Sequence, residues 1–119
     1  MAETSQAQSR YAYDGLERVI HEKARLSLLT SLAAHPEGLA FPVLRRLCNL
    51  TDGNLNRHLQ VLKDEALVEV EKAFVADRPQ TTCRLTAAGR RRYLAYLDEL
   101  ERVLRDARGA DGILSRITT

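Results

Sequence analysis

A chain of 119 residues, 45% hydrophobic and 29% charged, has the size and balance of one ordinary globular domain with a single modest core. Its net charge of +2 and pI near 8.7 are too mild to identify a nucleic-acid partner by themselves. No apolar run approaches the ~20 residues of a membrane span. The opening MAETSQAQSRYA also lacks the apolar stretch of a secretory signal, so residues 1–13 are expected to be a flexible arm on a cytoplasmic protein.

Asp14-Gly-Leu-Glu17 has capping-box spacing, and Leu16, Val19, Ile20, Leu26, Leu29 and Leu32 follow at helical intervals. Together they predict a first helix from about Gly15 to Ala34, with a break near His21, ended by Pro36-Glu-Gly38. Leu39-Ala-Phe41 is short and apolar enough for a small strand. Pro42 suits the first turn of a second, short helix to about Cys48, burying Val43, Leu44 and Leu47.

Thr51 to Leu67 reads TDGNLNRHLQVLKDEAL. Thr51 caps a third helix with its hydroxyl, and Leu55, Leu59 and Leu62 line the inner face. The opposite face carries Asn54, Asn56, Arg57, Gln60 and Lys63. Those side chains have paired donors and acceptors suited to base edges and phosphates, where a merely solvated face would favour Glu and Lys.

The period then changes. Leu67, Val68, Val70 and Phe74 interleave with Glu69, Glu71 and Lys72 as a strand; Ala76–Gln80 forms a turn, and Thr81–Leu85 returns. Thr86 caps a final helix over about 86–107, and 109–119 is a loose tail in which Ile113, Leu114 and Ile117 could dock. The domain proper spans 14–108. Helix, short helix, tight turn, polar helix, hairpin and long helix make a mainly α chain with a small β-hairpin, the order of a helix-turn-helix followed by a wing.

Cys48 and Cys83 show neither CxxC nor Cys/His spacing and read as small core residues in a reduced compartment. His21, His35 and His58 form no helical metal pair, so no metal or cofactor is expected. No Gly-rich phosphate loop and no Ser/His/Asp or Cys/His set is present, and Asp98, Glu99 and Glu101 read as a solvated helix face, so an enzyme is not expected.

The run Leu50-Thr-Asp-Gly-Asn-Leu-Asn-Arg-His-Leu-Gln-Val-Leu62, Leu67-Val68, Lys72-Ala-Phe74 and Arg78-Pro79 through Arg84-Leu-Thr-Ala-Ala-Gly-Arg90 resembles the winged-helix transcriptional regulators of the MarR and ArsR type. The resemblance covers roughly Leu16 to Tyr96. It implies that Thr51, Asp52, Gly53, Asn54, Asn56, Arg57 and His58 begin a DNA-recognition helix continued by Gln60 and Lys63. It also implies that Lys72, Arg78, Thr81 and Arg84 belong to a wing that approaches the minor groove or backbone. Asn54 has a second reading as a helix support and His58 as a core residue. Asp52 opposes phosphates unless it accepts from a cytosine amino group. Of Arg90, Arg91 and Arg92, one is expected near DNA or a carboxylate.

The implied mode of action is a homodimer on double-stranded DNA, more in the manner of a repressor. The final helix offers a seam in Tyr93, Tyr96, Leu97, Leu100, Val103 and Leu104, aided by Leu16 and Ile20. Related dimers often hold a cleft between terminal helices and DNA-binding lobes, which leaves room for a small-molecule effector of unidentified chemistry. The rival reading is a protein–protein interaction module, favoured by Asp52 and the low net charge.

Overall fold

The computed structural model describes residues 9–109 of the chain, so most of the expected tail, with Ile113, Leu114 and Ile117, lies outside the described residues. The described elements are α1 (Lys23–Ala34), β1 (Leu39–Ala40), α2 (Phe41–Leu47), α3 (Asp52–Asp64), β2 (Val68–Val75), β3 (Arg78–Leu85) and α4 (Ala87–Arg108). The chain divides into two compact units, Arg18–Tyr93 and the paired segments Met1–Glu17 and Leu94–Thr119, with α4 running from one into the other.

In the larger unit, α1 starts eight residues later than Gly15, the expected start. Glu22 caps it, its carboxylate accepting from the N–H groups of Ala24 (3.2 Å) and Arg25 (2.8 Å). A helix over 15–22 would need the carbonyls of Arg18 and Val19 for its own ladder. They are instead taken by the Arg25 guanidinium, whose Nε donates to Val19 O at 2.6 Å and Nη2 to Arg18 O at 3.5 Å. Leu28, Leu29 and Leu32 of α1 are fully buried with Leu44, Leu55, Leu62 and Leu67, and burial of one such leucine contributes about 1.5–3 kcal/mol.

Pro42 lies in the first turn of α2 as expected, but Leu47 is exposed and adds nothing to the core. The turn into α3 is closed by two backbone bonds, Leu50 N–H to Arg45 O (3.0 Å) and Asn49 N–H to Arg46 O (3.2 Å), with Asn49 at φ 54°. This is a Schellman closure, and asparagine tolerates its left-handed residue better than most. The same pattern ends α3: Leu67 N–H bonds Leu62 O and Ala66 N–H bonds Lys63 O, each at 2.9 Å.

The sheet has the order β1-β3-β2, all antiparallel, so the short strand joins the hairpin through Leu39↔Cys83 and Ala40↔Thr82. The hairpin is longer and its turn tighter than the five-residue turn expected at Ala76–Gln80. Ala76 and Asp77 alone make it, at φ 53° and 63°, and pairing begins at Val75↔Arg78. Both central residues are left-handed, as a two-residue hairpin turn requires. Pro79, expected within the turn, lies in β3 and is tolerated because it sits in the pair next to the turn-closing one. Its missing N–H falls on the β3 edge that β1, bonded only opposite Thr82 and Cys83, does not cover.

Thr86 caps α4 as expected: Gly89 N–H donates to its Oγ1 at 2.8 Å, and that hydroxyl donates to Ala66 O at 2.7 Å. Gly89 is required there, since a Cβ on it would stand 2.0 Å from the carbonyl oxygen of Leu67. The unit's core is completed by Ile20, Tyr93, Val68 and Cys83; Tyr93 OH shares a 2.7 Å hydrogen bond with Thr30 Oγ1.

In the smaller unit Tyr13 and Gly15 are held along α4; residues 1–8 of the arm expected over 1–13 lie outside the described residues. Tyr13 OH donates to Asp106 Oδ2 at 2.6 Å and Gly15 N–H to Glu99 Oε2 at 2.9 Å, while Arg102 stacks 5.0 Å from the Tyr13 ring. Gly15 N–H thus meets a carboxylate in α4, and no helix starts at the Asp14-Gly-Leu-Glu17 box.

Candidate nucleic-acid interface

The helix α3 separates its two faces as its sequence requires. Leu55, Leu59 and Leu62 are buried, while Thr51, Asp52, Gly53, Asn54, Asn56, Arg57, Gln60 and Lys63 are exposed. Thr51 Oγ1 accepts from Asn54 N–H at 3.1 Å, a cap worth about 1 kcal/mol. A side chain at Gly53 would meet nothing within 4 Å, so the first turn of α3 is open to any large partner.

Arg57 Nη2 donates to Asn54 Oδ1 at 3.3 Å, which draws the two candidate readers together on one exposed ridge. Gln60 is turned along the helix, its Nε2 donating to Asp64 Oδ1 at 2.8 Å.

Asp52 has a partner that its sequence position did not reveal. Arg45 Nε of α2 lies 3.1 Å from Asp52 Oδ1, across the turn of the helix-turn-helix. The carboxylate is therefore neutralised locally, and the start of α3 presents no net negative charge. Asp52 is three-quarters exposed, so the pair contributes at most about 1 kcal/mol to the fold. Arg45 was not among the candidates; the only sequence signal was the Arg45-Arg46 pair six residues before Thr51.

His58 does not belong to the exposed surface. It is 7% exposed on the inner side of α3, with Nδ1 at 3.8 Å from Glu22 Oε2 and 3.4 Å from Arg25 Nη1. Burial pushes its pKa below the usual histidine value; Glu22 opposes that shift, while Arg57 and Arg25 reinforce it. Neutral Nδ1 can accept from Arg25, so the imidazole ties α3 to the start of α1 and is removed from the DNA-facing set. Burial raises the Glu22 pKa, but the two capping N–H groups, with His58 and Arg25, outweigh it and leave that carboxyl below its ordinary value.

On the wing, antiparallel register places Lys72 opposite Thr81 and Phe74 opposite Pro79 on one face, with Glu69 opposite Arg84 and Val75 opposite Arg78 on the other. The first face looks toward α3. Between them lies a groove of about 310 Å3 lined by Asn56, Gln60, Lys63, Lys72 and Thr81, with Phe41, Leu59 and Val70 at its floor. Five expected residues thus meet in one place. Arg84 is not among them; its Nη1 sits 3.7 Å from both Glu69 and Glu71, so its charge is engaged on the far face. Arg78 opens onto a second depression with Phe41 and Pro42. Arg57, Lys63, Lys72 and Arg78 have no ion pair among the described residues, which leaves four cations for an anionic partner.

The expected apolar strand face is not buried to its end. Val68 is buried and Val70 half-buried, but Phe74 is 78% exposed. Of the arginine run, Arg92 binds Glu65 through Nη2 to Oε1 (3.3 Å) and Nη1 to the carbonyl (3.0 Å), Arg91 is exposed and Arg90 half-buried. Of the expected seam, Ile20, Tyr93 and Tyr96 are 0, 5 and 1% exposed, already buried within one chain and unavailable to a partner. Leu97, Leu100, Val103 and Leu16 are half-buried, Leu104 is exposed, and the exposed Leu94 joins them. No helix among the described residues is long and apolar enough to cross a membrane.

Comparison with known proteins gives the same fold. An uncharacterised protein of Methanocaldococcus jannaschii is 31% identical over 83 residues, 70% of this chain and 89% of that one. The structure of a transcriptional regulator homologue from Pyrococcus horikoshii OT3 superposes with a TM-score of 0.72 at 25% identity, over 90% of this chain and 98% of the other. S. aureus MepR in its DNA complex gives a TM-score of 0.69 at 16% identity, over 98% and 94% of the two chains. The family model described as Winged helix DNA-binding domain matches residues 24–104, spanning α1 through most of α4. That is a family of DNA binders and not of enzymes. Helix-turn-helix, wing and closing helix match it together: the chain belongs to the winged-helix DNA-binding domain family.

Proposed function

We propose that this protein regulates transcription by binding double-stranded DNA as a homodimer across an inverted repeat, acting as a repressor that blocks promoter access. The observation that carries this is the groove in which Asn56, Gln60 and Lys63 of α3 face Lys72 and Thr81 of the wing. A helix in the major groove presents its outward residues to base edges, and a phosphate strand then passes between helix and wing. Arg57 and Asn54, already bonded to each other, offer guanine- and adenine-type donor and acceptor pairs. The neutralisation of Asp52 by Arg45 removes the main objection to phosphates at this end of the helix. Likeness to a regulator homologue and to a protein solved with DNA supports the reading.

One recognition helix reads only a few base pairs, which motivates two copies. The surface for pairing is Leu94, Leu97, Leu100, Val103 and Leu104 on α4, at helical spacings of three and four. Selection from a random duplex library, followed by sequencing, tests the whole proposal. Enrichment of an inverted repeat with half-sites about one helical turn apart is expected; absence of any enriched sequence, with weak binding to every duplex, would overturn it.

A further inference from the structure

Resting on that DNA-binding reading, we infer that Phe74 is a DNA-contacting residue of the wing, its ring packing on the deoxyribose walls of the minor groove that flanks the major groove receiving α3. Phe74 is 78% exposed, the most exposed large hydrophobic residue among those described, and Val75 beside it is 52% exposed. Strand alternation shows that this is no accident of a frayed end. Val68, Val70, Lys72 and Phe74 share the face turned toward α3; Val68 is buried, Val70 is half-buried at the floor of the groove, and the last two extend past the core. Phe74 is held in the ladder opposite Pro79, so the ring projects from a rigid hairpin beyond the point where the protein can cover it.

An apolar projection with a polar rim marks an interaction surface, and the rim here selects the occupant. Along the α3-facing side of the hairpin, from Val68 to Val75 and Arg78 to Leu85, there is no carboxylate. Glu69 and Glu71 are on the opposite face and are both engaged by Arg84. Lys72 stands two residues from Phe74 on its own face, and Arg78, opposite Val75 in the next pair of the ladder, lies at the tip on the other face; neither is in an ion pair among the described residues. Asp77 is the one carboxylate of the tip, and it occupies a left-handed turn position (φ 63°) that aspartate tolerates. A cationic rim around an apolar tip fits a polyanion with apolar sugar walls. Phosphates take Lys72 and Arg78, and the furanose faces between them take the ring.

The test is fluorescence anisotropy of the full chain on the duplex enriched from the library, over about a fourfold range of salt. Phe74→Ser should weaken binding by about tenfold at every salt, since burying a phenylalanine ring contributes at least that much and releases no counterions. Phe74→Leu should stay within about threefold of the wild type, because it keeps an apolar tip. Arg78→Ala should instead lower the slope of log affinity against log salt by about 0.9. Because Phe74 is exposed, its variants should melt with the wild type, which separates a lost contact from a damaged fold. Equal affinity of Phe74→Ser and wild type, with Arg57→Ala defective, would overturn this inference alone. Indifference of binding to Phe74, Arg78 and Arg57 together would overturn the DNA reading of the face. Loss of the dimer in sedimentation, with half-site binding untouched, would assign the ring to a second copy and overturn the inference.

Discussion

Asp52→Asn isolates the charge at the start of the recognition helix. In the fold, Asp52 Oδ1 is 3.1 Å from Arg45 Nε, with 75% of the Asp52 side chain and 35% of the Arg45 side chain exposed. A solvent-facing pair of this kind contributes up to about 1 kcal/mol, and the carboxylate in the first turn of α3 adds about 0.3–1 kcal/mol through the helix dipole. The substitution should therefore cost the fold no more than about 2 kcal/mol. On DNA its effect has the opposite sign. Release of Arg45 gives the helix-turn-helix an additional cation at the phosphate backbone, and one more neutralised phosphate steepens the salt slope by about 0.9. Over a fourfold rise in salt, the variant's advantage should shrink about 3.5-fold. Anisotropy titrations on the enriched duplex and a scrambled one would measure this, and tighter binding to both with the steeper slope is expected. Weaker binding to the enriched duplex alone, with an unchanged slope, would refute the reasoning and make Asp52 a reader of cytosine.

Gly89→Ala places a methyl 2.0 Å from Leu67 O, a backbone atom that cannot swing aside; it should destabilise the fold by about 3 kcal/mol or more, lowering the melting temperature by roughly 10–20 °C. The buried His58 is held neutral in the fold, so the unfolded chain takes up its proton first. Its contribution is complete above the unfolded pKa near about 6.5 and declines as pH falls through that value toward the lower folded one. Melting temperature should fall across that window, and His58→Gln should flatten the fall; an identical pH profile would place the titrating group elsewhere. Leu104→Glu, at a 41% exposed position, should leave the fold intact and give monomers by sedimentation, and an unchanged dimer would move the interface off α4.

The elements that were legible in the sequence are those in which local pattern and local bonding agree. In α3 the leucine spacing, the Thr51 cap and the polar outer face all belong to one segment, and all stand as expected. Thr86 likewise marks the start of α4. What escaped was decided by partners distant in the chain. The Asp14-Gly-Leu-Glu17 box has a cap's spacing, but Gly15 N–H is claimed by Glu99 and the carbonyls of Arg18 and Val19 by Arg25. The apolar stripe of α4 gives no sign that Tyr93 and Tyr96 are spent within the chain while Leu94 is not. Alternation made Phe74 one of the apolar positions of the strand with Val68 and Val70, whereas the length of the hairpin carries it past the core's edge. His58 lay on the boundary of two faces, and only Glu22 and Arg25, from another element, draw it inward.

Leu67 joins three elements through a single peptide position. Its N–H closes α3 on Leu62 O, and its carbonyl accepts from Thr86 N–H at 3.1 Å and lies within 3.2 Å of the Thr86 hydroxyl, with Gly89 packed against it. Strand β2 begins at the next residue. The C-terminal end of α3, the root of the β2–β3 hairpin and the first turn of α4 are therefore fastened to one pin. The base of α4 and the end of α3 are thus joined by backbone bonds to one peptide and not only by side-chain packing in the core. The Leu67 amide is accordingly a sentinel: its rate of hydrogen exchange reports at once whether the reading head is locked to the rest of its unit or has come loose from it.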